Sequence, residues 1–192
     1  MWVRLRAEYA MHRLIGHAIV SADDRIADAT GRLPEALHNE ADWALFQAAL
    51  DRAALTLIGR ASHEATPNSK GRRRLIVSGQ ARALEQKADG WWLNPAELPL
   101  ERALATVLPD GGEIAVVGGQ AVFDLVGAAG FNVFHLSRSH RVHLPGGRGL
   151  FAACERGVPA AAILSAGGLV EGDAEAIDPG ADVTLTVWRR PE

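Results

Sequence analysis

The sequence predicts an α/β fold of three layers. A mostly parallel central sheet lies between helices and carries an antiparallel hairpin at its C-terminal edge. Three observations lead there. From residue 14 onward short apolar runs alternate with longer helix-like segments, the rhythm of β–α–β units. Two of those runs end in glycine, at Gly59 and at Gly118-Gly119, and a helical pattern follows the second pair at once. The last apolar runs, 160–165 and 183–188, have no helix between them, so they close the sheet by antiparallel pairing.

Taken in order, residues 14–21 (LIGHAIVS) form the first strand, ended by the turn residues Ala22-Asp23-Asp24. Residues 26–37 carry Gly31 and Pro34 and read as a loop. Asn39 is placed to cap a helix over 40–54, rich in Ala and Leu. Residues 55–58 are a buried strand closed by Gly59. Residues 62–74 are polar and basic, with Pro67, Asn68 and Gly71 breaking any long element, and 75–78 (LIVS) are again a strand. Helices follow at 99–108 and 120–126, strands at 113–117 and 132–137, and a loop at 146–149. No repeat, low-complexity segment or long linker divides the chain. Residues 13–192 are therefore expected to form one domain, with residues 1–12 an N-terminal extension.

Composition narrows the function. Of 192 residues, 48% are apolar and 22% charged, the balance of a globular protein with a core that needs no staples. The lone Cys154 excludes a disulfide framework and a multi-cysteine zinc site and suits a reducing cytoplasm. A net charge of −3 draws in neither nucleic acid nor an anionic membrane. Apolar runs stop short of the length a membrane helix needs. A cytoplasmic domain acting on a small molecule is the expectation.

The strongest local signal is IAVVGGQAVF, residues 114–123. Paired glycines let a backbone approach a phosphate, and the following helix start offers free N–H groups. A tight strand–helix turn needs the same small residues. Gly59 is followed by Arg60, Ala61 and Ser62, where a guanidinium and a hydroxyl can meet phosphate oxygens. Two such glycine ends in one parallel sheet point to a ligand crevice beyond the strand ends. A formal G-x-G-x-x-A match at 147–152 follows no clear strand and is set aside. Asp42 and Phe46 sit i, i+4 on the inward face of the first helix, whereas Glu40 lies off it. The His140–His143 pair lacks the acidic company of a metal site, and no nucleophile elbow occurs. Arg72-Arg73-Arg74 is too short and isolated for nucleic acid, and a carboxylate or phosphate on a small ligand suits it better.

In this order the motifs resemble the dihydrofolate reductase superfamily, which includes the reductase domain of riboflavin biosynthesis, over about residues 14–190. AIVSADDRIA is similar to the family's first strand, and Leu33-Pro34 to the Leu-Pro of its mobile loop. HNEADWALFQ resembles the helix whose acid contacts the pterin. TLIGRAS resembles the cofactor segment I-M-G-R-x-T, GRRRLIVS the P-G-R-x-N-I-V-L-S strand, VVGGQAVF the I-G-G-G-x-x-Y turn, and VTLTVWRRPE the final antiparallel strand. The chain departs from the pattern at Glu35, His63, Gln120 and Phe123, and it has Gly79-Gln80 where many relatives place a basic residue for the 2′-phosphate.

The resemblance implies an NADPH-dependent reductase of a dihydropterin, dihydrofolate or an analogue such as dihydromethanopterin, in one-carbon metabolism. Hydride would pass to C6 and a proton to N5. Asp42 would grip the 2-amino and N3 edge of the pterin, with Glu40 its rival. Leu33 and Phe46 would line the substrate, Ser137 would bond the acid, and Arg72 would clamp a tail carboxylate. The cofactor would lie against Gly59, Arg60, Ala61, Ser62, Ser78, Gly118, Gly119, Gln120, Ala121 and Val122. A ribosylaminopyrimidine reductase of the riboflavin type is the alternative, and a nucleotide-binding relative without catalysis a third reading. No metal, nucleic acid or membrane partner is expected, and a homodimer is among the options.

Overall fold

The computed structural model describes residues 11–191. Most of the expected N-terminal extension, residues 1–10, lies outside the described residues. The strands are β1 (His12–Ser21), β2 (Arg25–Ala27), β3 (Leu55–Gly59), β4 (Arg74–Val77), β5 (Leu84–Lys87), β6 (Gly90–Leu93), β7 (Gly112–Val116), β8 (Val133–Ser139), β9 (Arg148–Gly149), β10 (Ala174–Asp178) and β11 (Val183–Arg189). The helices are α1 (Glu40–Arg52), α2 (Arg60–Ala65), α3 (Leu100–Val107), α4 (Gln120–Val126) and α5 (Ala160–Ala166). Among the described residues no helix is long and apolar enough to cross a membrane.

Nine strands form one sheet in the order β10-β11-β8-β1-β7-β3-β4-β6-β5. The interior pairings, from β8 through β1, β7, β3 and β4 to β6, are all parallel. These strands are apolar because both faces are covered: Leu14, Leu57, Leu75, Ile76, Ile114 and Val116 are fully buried. Antiparallel pairs finish both edges, β10–β11–β8 on one side and β5–β6 on the other. The expected class holds, a mostly parallel α/β sheet with a C-terminal antiparallel hairpin. The clearest buried stripe is on α3. In α3, Leu100, Ala103, Leu104 and Val107 follow the i, i+3, i+4, i+7 spacing and are all buried.

The hairpin is built from other residues than expected. Residues 160–165 are not a strand but most of α5. A short apolar run carries no period of its own, and the local signals here favour a helix: three successive alanines, Pro159 at the N-cap and Gly167-Gly168 at the end. The Asp24 carboxylate accepts the orphan Ala160 N–H at 3.0 Å. The partner of β11 is β10. The β5–β6 hairpin was not foreseen, although Asp89-Gly90 ahead of Trp91-Trp92-Leu93 is a turn signal. Within the expected loops, β2 and β9 pair with each other apart from the main sheet. The discounted glycine match at 147–152 falls on β9 and opens no α-helix.

Behind β1 and β8 lies an aromatic cluster of Phe123, Phe131, Phe134 and Phe151, with Phe131 and Phe134 edge to face at 4.9 Å. Gly16 makes this packing possible. A Cβ at Gly16 would stand 2.2 Å from the Phe134 ring, inside the fully buried core. Gly16→Ala is therefore expected to cost about 1–3 kcal/mol through overpacking. Urea unfolding of the variant should show a lower midpoint at unchanged slope.

Candidate functional site

The parallel strands all end on the same edge of the sheet, where β3 finishes in Gly59 and β7 is followed, after Val117, by Gly118-Gly119. The Gly59 N–H donates to the Gly118 carbonyl at 2.7 Å, which ties the two strand ends together. A Cβ at Gly59 would meet Val122 Cγ2 at 3.3 Å, and Gly118 needs φ +103°, a region that favours glycine. The Gly118–Gly119 peptide is cis. Gly119 and Gly79 face open space, with nothing within 4 Å of a built Cβ. The crevice thus has glycine walls with room in front of them.

The expected cofactor residues surround this space unevenly. Gln120 and Ala121 open α4, where first-turn N–H groups have no intrahelical partner. Val122 is turned inward, buried, with its N–H bonded to the Gly119 carbonyl. The Gln120 side chain is held away by Gly149 O and Glu155 Oε1, at 3.1 and 2.6 Å. Arg60, Ala61 and Ser62 form the first turn of α2 after Gly59. Arg60 is ion-paired along the helix with Glu64 at 3.1 Å. Ser78 is buried just beyond β4, and its Oγ accepts the Gln80 N–H.

Asp42 lies on the other side of β1. The Asn39 side chain caps α1 by accepting the Asp42 N–H at 3.0 Å, which fixes where the helix starts. Helical periodicity then turns Asp42 toward the sheet and leaves Glu40 exposed. The Asp42 carboxylate is half-buried and accepts a hydrogen bond from the Ser137 hydroxyl on β8. Burial raises its pKa above the ordinary carboxylate value; the Ser137 bond and the nearby His38 oppose the rise. Phe46 follows one turn later, and its ring stands 5.4 Å from the half-exposed Trp43 ring.

Leu33, expected over the substrate, is 53% exposed in the loop before the short 3-10 turn Glu35–Leu37. Arg72 is engaged already. Its guanidinium donates to Asp51 Oδ1 from Nε at 2.9 Å and to Gln47 Oε1 from Nη2 at 2.8 Å. The three arginines do not act as one run. Arg73 donates to the Val107 carbonyl at 2.7 Å, and Arg74 is buried. His140 bonds Thr184 at 2.9 Å.

Two residues beside Asp42 escaped the sequence reading. His17 on β1 and His135 on β8 are register partners, as are Ile19 and Ser137 two residues on, so the pair shares the face of Ser137. Their rings stack at 4.8 Å with a 13° tilt, and Phe46 meets His17 edge-on at 6.5 Å. Burial pushes His17 down to about 3, helped by His135 and Arg52. His135 is lowered too, first by burial, then by Arg189 and Arg52.

No family model matches the sequence, and no curated protein matches it. Solved structures do resemble it. Dihydrofolate reductase from Enterococcus faecalis, complexed with NADP(H) and RAB-propyl, is 17% identical with a TM-score of 0.65, over 95% of this chain and 98% of that one. A protein assigned to riboflavin biosynthesis from Shewanella sp. PV-4 is 20% identical with a TM-score of 0.64, over 94% and 99%. A diaminohydroxyphosphoribosylaminopyrimidine deaminase/5-amino-6-(5-phosphoribosylamino)uracil reductase from Thermotoga maritima is 16% identical with a TM-score of 0.63; the match covers 99% of this chain and 60% of that one. The likeness shows the fold: this chain has a dihydrofolate reductase-like architecture.

Proposed function

We propose that the protein is a nicotinamide-nucleotide-dependent reductase of a pterin or pyrimidine ring, with NADPH as hydride donor and a dihydropterin as substrate. The observation that carries the reading is Asp42, a half-buried carboxylate with a raised pKa, facing Ser137 beside a glycine-walled crevice at the strand ends. A carboxylate so placed recognises two adjacent N–H groups on a heterocycle, the pattern of a 2-amino-pyrimidinone edge. The residues fit the dinucleotide as well. Gly119 and Gly79 leave room for a phosphate-bearing chain, and the free backbone N–H groups of Gln120 and Ala121 can meet its oxygens. Gly59 and Gly118 let it approach closely, and Arg60, Ser62 and Ser78 supply polar contacts. When bound, the cofactor supplies the hydride.

The chain's own residues bind, orient and hold charge. Asp42 fixes the ring edge and stabilises positive charge developing there as N5 takes up its proton. Ser137 holds the carboxylate in place, and Phe46 packs against the ring. We read residues 13–192 as one domain carrying the whole reaction.

Following nicotinamide absorbance with dihydrofolate, dihydromethanopterin and a ribosylaminopyrimidine tests this reading. NADPH oxidation with a dihydropterin is expected. Oxidation with the pyrimidine alone would move the substrate to the riboflavin type, and binding without turnover would leave a silent relative. Absence of NADPH binding would overturn the proposal.

Arg72 separates the pterins. Asp51 already occupies its fork, so a tail carboxylate has to share it. Arg72→Ala is expected to raise KM for dihydrofolate about tenfold, the equivalent of ~1.5 kcal/mol, the low end for bonds to charged groups. A tail-free dihydropterin should change little. An equal response of both substrates would remove the clamp.

A further inference from the structure

A second cluster of charged side chains lies away from the crevice, at the start of β4. Arg74 is only 5% exposed. Its Nη1 donates to His63 Nδ1 at 2.9 Å and to the Thr66 carbonyl at 3.0 Å. Arginine has donors only, so Nδ1 accepts, and His63 must donate from Nε2 to Asp89 Oδ2 at 2.9 Å. The other Asp89 oxygen takes the Trp92 Nε1–H at 2.9 Å. Both oxygens of Asp89 are thus occupied by ring donors, and neither reaches Arg74. No carboxylate among the described residues ion-pairs with Arg74.

What remains is the Nε–Nη2 edge of Arg74, two parallel N–H groups without a partner among the described residues. Neither is among the fully buried unpartnered atoms, which belong to Arg25 and Trp188, so this edge still meets solvent. Arg74 is also one of the residues that line a cavity of about 490 Å³, with His63, Glu64, Asn68, Asp89 and Trp92. Glu64 is engaged by Arg60. Lys87 lies 4.4 Å over the Trp92 ring and is itself ion-paired with Glu85 at 3.2 Å. Burying a guanidinium costs free energy that two unmade hydrogen bonds do not offset. Desolvation lowers its pKa, as that cost requires.

We propose that the cavity between α2, β4 and the β5–β6 turn is a second ligand site, for a small oxyanion gripped side-on by the Nε–Nη2 edge of Arg74 against Trp92. The matching group is a carboxylate or a phosphate, whose two oxygens meet that edge with two parallel bonds. The two acids on the lining, Glu64 and Asp89, are each already engaged, by Arg60 and by the His63 and Trp92 rings. Arg74 is set back from the nucleotide crevice, and Glu64, paired with Arg60, stands between the two. Arg74 opens β4 and Ser78 follows its end, about 13 Å further along the strand at ~3.3 Å per residue.

Titrating the full chain with inorganic phosphate and, separately, with benzoate tests this, reading the Arg74 Nε–H signal by NMR. Arg74→Lys identifies the signal. A saturable shift of that signal is expected with at least one anion; phosphate alone assigns a phosphorylated ligand and benzoate alone a carboxylated one. In Arg74→Lys, which keeps the charge but loses the paired edge, affinity read calorimetrically should fall at least about tenfold. Asp89→Asn removes the nearest negative charge and should tighten binding, and it serves if the Arg74 variant does not fold. No saturable shift with either anion, or an affinity unchanged in both variants, overturns the proposal.

Discussion

Asp42→Asn is expected to lower kcat/KM for a dihydropterin at least about 100-fold, the lower end for a positioned acid or base. Folding should not suffer. The Asp42 carboxylate is raised above its ordinary value chiefly because burial penalises the charged form, so the folded protein holds that charge at a cost. An amide of the same shape removes the cost and still accepts from Ser137. The thermal midpoint should therefore stay level or rise while activity collapses, the opposite of what a structural residue shows. The rate profile carries the same information. If the ionised form grips the ring, activity falls as pH drops through a midpoint above the ordinary carboxylate value. That acid limb should vanish in Asp42→Asn. Glu40→Gln should change the rate less than about twofold, since Glu40 is exposed and contributes only to the helix dipole. The reverse pattern would move the acid to Glu40.

The sheet was legible because its interior strands are buried on both faces. LTLIG, RLIV and GEIAV can be little else once glycine or a charge bounds them. The same lack of period misled at AAAILSA, where only the flanking Pro159 and Gly167 distinguish helix from strand. Asp42 was legible because its helix has a capping residue and a clear inward stripe, so its facing follows from local spacing. His17 and His135 were not. Each looks like one polar residue in a strand, and their meeting depends on the register of two strands far apart in sequence. Arg74 was hidden for a related reason. In Arg72-Arg73-Arg74 three identical side chains go to Asp51, to Val107 O and to His63, and only the start of β4 decides which goes where.

The chain is expected to lose stability steeply between pH 6.5 and about 4.5, at ~1.4 kcal/mol per pH unit from His17, so roughly 2–3 kcal/mol in all. In the folded state His17 is held down to about 3 against an ordinary 6.5, because burial against His135 and Phe46 disfavours the imidazolium. Below pH 6.5 the unfolded chain binds a proton that the folded chain refuses. His17's contribution is thus whole above 6.5 and drains away as pH falls toward 3. His135, lowered by the same burial, acts in the same direction. Carboxylates with lowered values begin to cost stability near and below their ordinary values, 3.8 for Asp23 and Asp51 and 4.5 for Glu85 and Glu155, at or under the foot of this window. Asp42, raised by burial, works the other way and gains stability on acidification. The difference between two proteins isolates the histidine. His17→Leu should match the parent at pH 7.5 within about 1 kcal/mol, since leucine is close to histidine in volume and can pack against Phe46. At pH 4.5 it should be the more stable of the two. Urea unfolding of both at each pH decides the matter: curves that fall in parallel would mean that His17 is protonated in the folded state, and the stacked pair would then need another source of acid sensitivity.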